Sequence, residues 1–257
     1  MKIYSWNMLF RNKELERAFA FILEAEWDIF CLQEVPEEFL EKLRTLPGFI
    51  DYRIDAEKIF PSGITRIYTV TLSRYPIQGR GEIPFPDYGD LFSWRTRLFI
   101  YLMRPFHFSK LRNRGGLFID ITVHGQLVRV FNLHLILARP AWRLAEFERA
   151  MREHDPSRPT IVCGDFNIVE SLLMTPLNWF FGGHLSEVFR YREERVRIEQ
   201  RFATYGLMNV LRGHVTHPFS HSQLDHILVS NSFSIKNAEV LKDRTGSDHC
   251  PIRVEVT

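Results

Sequence analysis

Short apolar runs rich in β-branched and aromatic residues recur along the chain and predict strands at 2–8, 27–33, 66–73, 117–123, 127–133, 160–164, 226–230 and 251–256. Only His124-Gly125-Gln126 separates the runs 117–123 and 127–133, which is hairpin spacing with glycine in the tight turn. Between some strands the apolar period lengthens to that of a helix. Leu15, Phe19, Ile22 and Leu23 share one face of a helix over 12–26, with Asn12 as its N-cap. Pro36 opens a second helix, in which Glu37 and Glu38 complement the positive end of the dipole and Phe39, Leu40 and Leu43 turn inward. A third runs from Pro140 to His154 with Leu144, Phe147 and Met151 as its buried stripe.

Two stretches break the alternation. Residues 84–114 read as an aromatic insertion carrying Arg95, Arg97, Arg104, Lys110, Arg112 and Arg114, with no acidic residue from Leu91 to Arg114. Residues 171–204 begin apolar, with Leu172, Leu173, Met174, Leu177 and Trp179, and pass into a charged helix over 190–201. No repeat of fixed period and no low-complexity linker divides the chain, so a single domain over 1–257 is expected, interrupted by the insertion at 84–114.

Composition narrows the class without naming a function. With 45% hydrophobic and 25% charged residues, the chain is neither disordered nor collagen-like. Its 33 Lys and Arg against 31 Asp and Glu leave +2, so any attraction to nucleic acid or membrane must be local. Cys31, Cys163 and Cys250 are widely spaced in apolar runs, which predicts buried thiols in a reducing compartment. Lys2-Ile3-Tyr4 starts a strand without a leader, and Leu98–Met103 is far shorter than the ~20 residues of a membrane span, so a cytoplasmic protein is expected.

The chemistry-bearing residues cluster at the ends of the predicted strands. Asn7 follows Ser5-Trp6, and Glu34 follows Cys31-Leu32-Gln33; each alone reads equally well as a cap or turn residue. Asp165 and Asn167, two apart after Thr160–Gly164, project to one side if strand geometry continues. Asp248-His249 puts a hard oxygen ligand beside an imidazole ahead of the last strand. Asn132-Leu133-His134 ends the hairpin, and Asp225 in Leu224-Asp225-His226-Ile227 is placed to orient an imidazole. Competing chemistries lack candidates: there is no Cys-x-x-Cys pair, no phosphate-binding Gly-x-x-x-x-Gly-Lys loop and no Gly-x-Ser-x-Gly elbow. Hard oxygen ligands with histidines suit Mg²⁺ or Mn²⁺ and charge stabilisation at phosphorus.

In chain order, Trp6-Asn7, Leu32-Gln33-Glu34, Leu72-Ser73-Arg74-Tyr75-Pro76-Ile77, Asn132-Leu133-His134, Gly164-Asp165-Phe166-Asn167, Leu224-Asp225-His226-Ile227 and Ser247-Asp248-His249 resemble the endonuclease/exonuclease/phosphatase superfamily. The resemblance spans nearly the whole chain and implies a four-layer α/β sandwich, two mixed β-sheets face to face with helices outside. It implies Glu34 as principal Mg²⁺ ligand, Mn²⁺ being a substitute, with Asn7 holding the metal or the attacking water and Asp248 supporting the metal site. Asp165 would position or deprotonate the water, and Asn167 would bond the phosphate. His249, oriented by Asp225, and His134 would flank the phosphoryl oxygens.

Superfamily substrates differ, and three features bear on the choice. His134 resembles the branches with histidine there and not the abasic-site endonucleases, which usually have tyrosine. Ser222-Gln223-Leu224-Asp225 stands where inositol polyphosphate 5-phosphatases carry Trp-Cys-Asp-Arg, and Gln223 departs from the basic residue many members have. The basic aromatic residues of 91–114 could track a nucleic-acid backbone, rest on an anionic membrane, or form a partly packed hairpin whose charges are only solvated. Arg114 is the member placed best to reach phosphate. The leading expectation is a Mg²⁺-dependent nuclease acting on DNA or RNA; the alternatives are a phospholipid or phosphoinositide hydrolase and an inert binding module.

Overall fold

The computed structural model describes residues 1–60, 63–103, 110–171, 174–189 and 191–257. One sheet contains β1 (Lys2–Asn7), β2 (Ile29–Pro36), β3 (Phe49–Phe60), β4 (Gly63–Ser73), β6 (Lys110–Arg112), β12 (Ile235–Val240) and β13 (Ile252–Val256), in the order β12-β13-β1-β2-β4-β3-β6. The other contains β5 (Ile77–Pro84), β7 (Gly115–Val123), β8 (Gln126–His134), β9 (Thr160–Asp165), β10 (Leu207–Asn209) and β11 (Asp225–Ser230), in the order β10-β11-β9-β8-β7-β5. Each is mixed, with β1–β2 and β8–β9 parallel and the remaining pairs antiparallel.

Strand alternation divides the apolar residues into three layers of packing. Ile3, Ile29, Cys31 and Ile252 of the first sheet meet Ile119, Ile161, Cys163 and Ile227 of the second, and this inner core is fully buried. The opposite face of the first sheet, with Trp6, Phe30 and Leu32, is covered by α1 (Leu15–Glu24) and α2 (Glu37–Leu43). Phe131, Leu133 and Val162 on the outer face of the second are covered by α4 (Pro140–Ala150) and α7 (Tyr191–Thr204). The result is the expected α/β sandwich.

One polar cluster interrupts the inner core. Asn132 accepts from Gln33 Nε2 at 2.8 Å and donates through Nδ2 to Val70 O at 2.9 Å and Thr71 Oγ1 at 3.1 Å. Asn132 belongs to one sheet, and Gln33, Val70 and Thr71 to the other. Both amides are fully buried, so their value depends on this mutual pairing.

Several local expectations change. α1 begins at Leu15, and Asn12 is no N-cap: its Oδ1 accepts from Glu14 N, while Nδ2 donates to Met8 O and to Thr245 O, tying the β1 exit to the loop before β13. The insertion is not a hairpin but carries a helix, α3 (Trp94–Met103), in a run free of Gly and Pro. Phe99 stacks on Phe180 of α5 (Pro176–Phe180) at 5.0 Å and meets Phe181 edge-on, and Arg95 lies 4.1 Å over Trp179 and donates to Gly183 O. A further short helix, α6 (Leu185–Phe189), follows. Arg104, Phe106, Phe108, the Lys110 side chain, Leu172 and Leu173 lie outside the described residues. The three cysteines are buried free thiols, as expected. No helix among the described residues is long and apolar enough to cross a membrane.

Candidate active site

The alternation that buries the inner core also delivers the polar site to its rim. In β9, Ile161 and Cys163 point between the sheets, so Asp165 does too; in β8, Val128 and Val130 do the same for Asn132 and His134. β1 continues from Ile3 through Ser5 to Asn7, and β11 carries Asp225 on the face of Ile227. Glu34 breaks the alternation. A bulge between Leu32 and Val35 and a positive φ of 54° turn it into the site, a conformation costly for a non-glycine residue and typical of functional positions. Asn167 has φ 53° for the same reason, with Asp165 Oδ1 accepting its N–H at 2.8 Å. Gly164 must be glycine: at φ +146° a Cβ would stand 1.8 Å from Leu133 O on the neighbouring parallel strand.

Two side-chain bonds cross from sheet to sheet here, and a third ties the loop before β13 to the second sheet. Asn7 Nδ2 donates to Asp165 Oδ2 at 2.9 Å. His134 Nδ1 lies 2.6 Å from Asp55 Oδ2, and His249 Nδ1 lies 2.9 Å from Asp225 Oδ2. The far nitrogens, Nε2 of His134 and Nε2 of His249, are each 3.8 Å from the same atom, Asp165 Oδ2. The His249 loop is pinned by Ser247, whose Oγ donates to Asn7 O and accepts from His249 N. Asp225 is fixed by Thr216, whose Oγ1 accepts its backbone N–H at 2.9 Å.

Charges are strongly perturbed. Burial alone would lower the pKa of both imidazoles. Asp55, Asp165 and Glu34 outweigh it at His134, pushed up to about 9, and Asp225, Asp165 and Asp248 do so at His249, pushed up to about 10. Burial raises Asp165, and Asp225 adds to this, against the pull of His249, His134 and Asn7. Burial likewise opposes ionisation of Glu34, but Lys58 at 3.0 Å from Oε1, His134 and the Phe10 N–H on Oε2 hold its pKa below the usual range. Asp248 is held down at about 2 against burial by His217 and His249.

The expected site residues are thus together, but not as one ligand set. Asp248 sits with His217 and His249, and Asp165 with Asp225 and His249; within each trio the ligand atoms lie within 4.8 Å of one another. Glu34 stands with Lys58 instead. Buried oxygens Asp225 Oδ1 and Asp248 Oδ1 have no hydrogen-bond partner among the described residues. Hard oxygen donors left without a protein partner fit a divalent metal ion. Asn167 donates Nδ2 to Leu135 O at 2.9 Å. Arg114 is a strut: it pairs with Glu146 through Nη1 and donates from Nη2 to His134 O at 2.9 Å, so both ends of its fork are engaged within the protein. Beside it opens a cleft of about 440 Å³ whose lining includes Arg53, Phe85, Arg112 and Asn113.

Asp55, Lys58 and His217 were not anticipated. β3 does carry a signal, since Tyr52, Ile54 and Ala56 alternate with Asp51, Arg53, Asp55 and Glu57, and a bulge between Ile54 and Ala56 frees Asp55 for the site. His217, with its ring 4.7 Å from that of His249, has no signal beyond standing shortly before Asp225.

Two facing mixed sheets flanked by helices, with carboxylate-backed imidazoles at one rim, define the DNase I-like fold. The sequence matches the Endonuclease/Exonuclease/phosphatase family over residues 4–249, and the chain belongs to that family, whose members are hydrolytic phosphoesterases generally dependent on divalent metal. No curated protein matches the sequence. Among solved structures, an endonuclease/exonuclease/phosphatase from Beutenbergia cavernae DSM 12333 is 17% identical with TM-score 0.68, covering 100% of this chain and 71% of that one. A mannosyl-6-phosphatase from Bacteroides thetaiotaomicron VPI-5482 is 19% identical with TM-score 0.60, covering 100% of this chain and 99% of that one. ANGEL2, a 2′,3′-cyclic phosphatase in complex with adenosine-2′,3′-vanadate, is 15% identical with TM-score 0.62, covering 99% and 94%.

Proposed function

We propose that the protein is a divalent-metal-dependent phosphodiesterase that cleaves nucleic acid by in-line attack of water at phosphorus. The observation that carries the hydrolytic reading is the convergence of two imidazoles, each backed by a buried carboxylate, on Asp165 Oδ2. At neutral pH both carry protons, and the 3.8 Å gaps leave their Nε2–H groups able to donate to a phosphoryl oxygen bound between them. Asp165, its pKa raised by burial, is suited to accept a proton from water. The second amide hydrogen of Asn167 is available to the phosphate. Mg²⁺ or Mn²⁺, held by carboxylates of this rim with Glu34 as the proposed ligand, would supply charge neutralisation at the phosphoryl group and a more acidic water. So many filled roles disfavour an inert binding module.

A nucleic-acid substrate is supported by the cleft beside Arg114, in which Arg112 suits the phosphate flanking a scissile bond, while Arg53 pairs with Glu82 and the Asn113 amide donates to Glu57. The nucleoside vanadate held by ANGEL2 is consistent with that substrate class. A second reading, hydrolysis of a phospholipid or phosphoinositide, is favoured by the exposed apolar side chains of α3. The test is cleavage of 5′-labelled single-stranded and duplex oligonucleotides with Mg²⁺, against Glu34→Ala and an EDTA control. Product ladders that need both the metal and Glu34 are expected; metal-loaded protein that cleaves no oligonucleotide overturns the nuclease reading and leaves lipid or small phosphoesters.

A further inference from the structure

α3 is inside out. A helix on the surface of a globular protein normally turns its apolar stripe to the core and its charges to water. In α3 the exposed positions are Trp94 at 77%, Arg97, Leu98 at 48%, Tyr101 at 67% and Leu102 at 63%, at helical spacing along one face. Leu91, one turn upstream, is 65% exposed. The inward face is anchored by its own contacts: Thr96 is fully buried, Phe99 stacks on Phe180, and Arg95 is spent on Trp179 and Gly183 O. The orientation is therefore held by packing, and the outward stripe is what remains after that packing is complete. In α6, which packs on the α5 helix that α3 rests on, Leu185 and Phe189 are exposed as well.

We propose that this face of α3 docks the protein on an anionic phospholipid surface. Contiguous exposed apolar patches on soluble proteins mark contact sites, and charge selects the occupant here. The stripe contains one charged residue, Arg97, and the sequence from Leu91 to Arg114 has no acid. Trp and Tyr beside Leu, with an arginine among them, are the side chains that settle at the boundary between headgroups and acyl chains. A stripe with no carboxylate to repel phosphate, and with Arg97 set among its apolar anchors, complements a negatively charged leaflet. This docking is independent of which phosphoester the active site cleaves, and is read without turnover.

The experiment is co-sedimentation of the full chain with phosphatidylcholine vesicles, with and without phosphatidylglycerol, at low and high salt. Association with the anionic vesicles that weakens with salt is expected, and the double variant Leu98→Ser/Leu102→Ser should lose about tenfold or more in partitioning. Trp94→Ala, at a side chain mostly in water, gives a second reading with little risk to folding. Both variants should keep the wild-type unfolding midpoint and the wild-type rate on a soluble phosphodiester, since neither touches the catalytic rim. Wild type that stays in the supernatant, or variants that sediment as well as wild type, overturns the proposal. So does sedimentation velocity showing a dimer that the same variants dissolve, which would make a second copy of the chain the occupant. Oligonucleotide cleavage that fails while vesicle binding holds removes the nuclease reading alone.

Discussion

Replacing Asp55 by asparagine keeps the volume and an acceptor oxygen beside His134 Nδ1 but removes the charge. Burial works to deprotonate His134, and Asp55, 2.6 Å away, is the largest influence that overcomes it, lifting the imidazole from 6.5 to about 9. The folded wild type therefore keeps a proton that the unfolded chain releases above pH 6.5. Stability from this pair is complete below pH 6.5 and is lost as the pH rises through 9. At 1.36 kcal/mol per pKa unit the raised value corresponds to about 3 kcal/mol. In Asp55→Asn burial regains the upper hand, and His134 should be neutral at pH 7.5. The assay is urea unfolding of metal-free protein across this pH range. His249 contributes a fall of its own in both proteins, so the signature is a difference in slope: wild type should lose about 1.4 kcal/mol more per pH unit between 7 and 9. Equal slopes would refute the assignment of the His134 proton to Asp55.

Three further outcomes follow from the same structure. Glu34→Gln should weaken Mn²⁺ binding in isothermal titration by at least about tenfold, and unchanged affinity would remove Glu34 from the metal site. His226 is held neutral by burial and by Arg195, whose Nη1 lies 2.5 Å from Nε2 while Nδ1 bonds Leu224 O, so its pKa lies well below 6.5. Its contribution is complete above pH 6.5 and falls by about 1.4 kcal/mol per unit as the unfolded chain takes up a proton below it. His226→Gln should flatten that acid limb in urea titrations, and an unchanged limb would contradict a neutral His226. Asn132→Ala strands the Gln33 amide between the sheets and should cost about 2–4 kcal/mol in unfolding free energy, while a loss under about 1 kcal/mol would mean that the cross-sheet amide pair is not a structural link.

What was legible in the sequence is what strand alternation enforces. Asn7, His134, Asp165 and Asp225 end runs whose apolar residues fill the inner core, so their direction follows from their neighbours. Asp55 and Lys58 escaped because β3 is charged and edge-like over most of its length, and its bulge alters the register that would have revealed them. The helix in 84–114 was missed because α3 lacks the usual polar outer face: a segment apolar toward both the protein and solvent has no clear period. Asn12 has the residue type of a cap, yet a tertiary partner, Thr245 O, claimed its side chain.

The bonds Asn7–Asp165 and Asp55–His134 join one sheet to the other, and Asp225–His249 joins the second sheet to the loop that leads into β13 of the first. The second sheet alone sets His134 beside Asp165, but the carboxylate that orients His134 and the amide that holds Asp165 come from the first, so the full reactive centre does not exist until the halves have met in register. Turnover then reports a mechanical condition as much as a chemical one: a slip of one sheet past the other by a single residue would leave both hydrophobic faces covered and the chemistry gone.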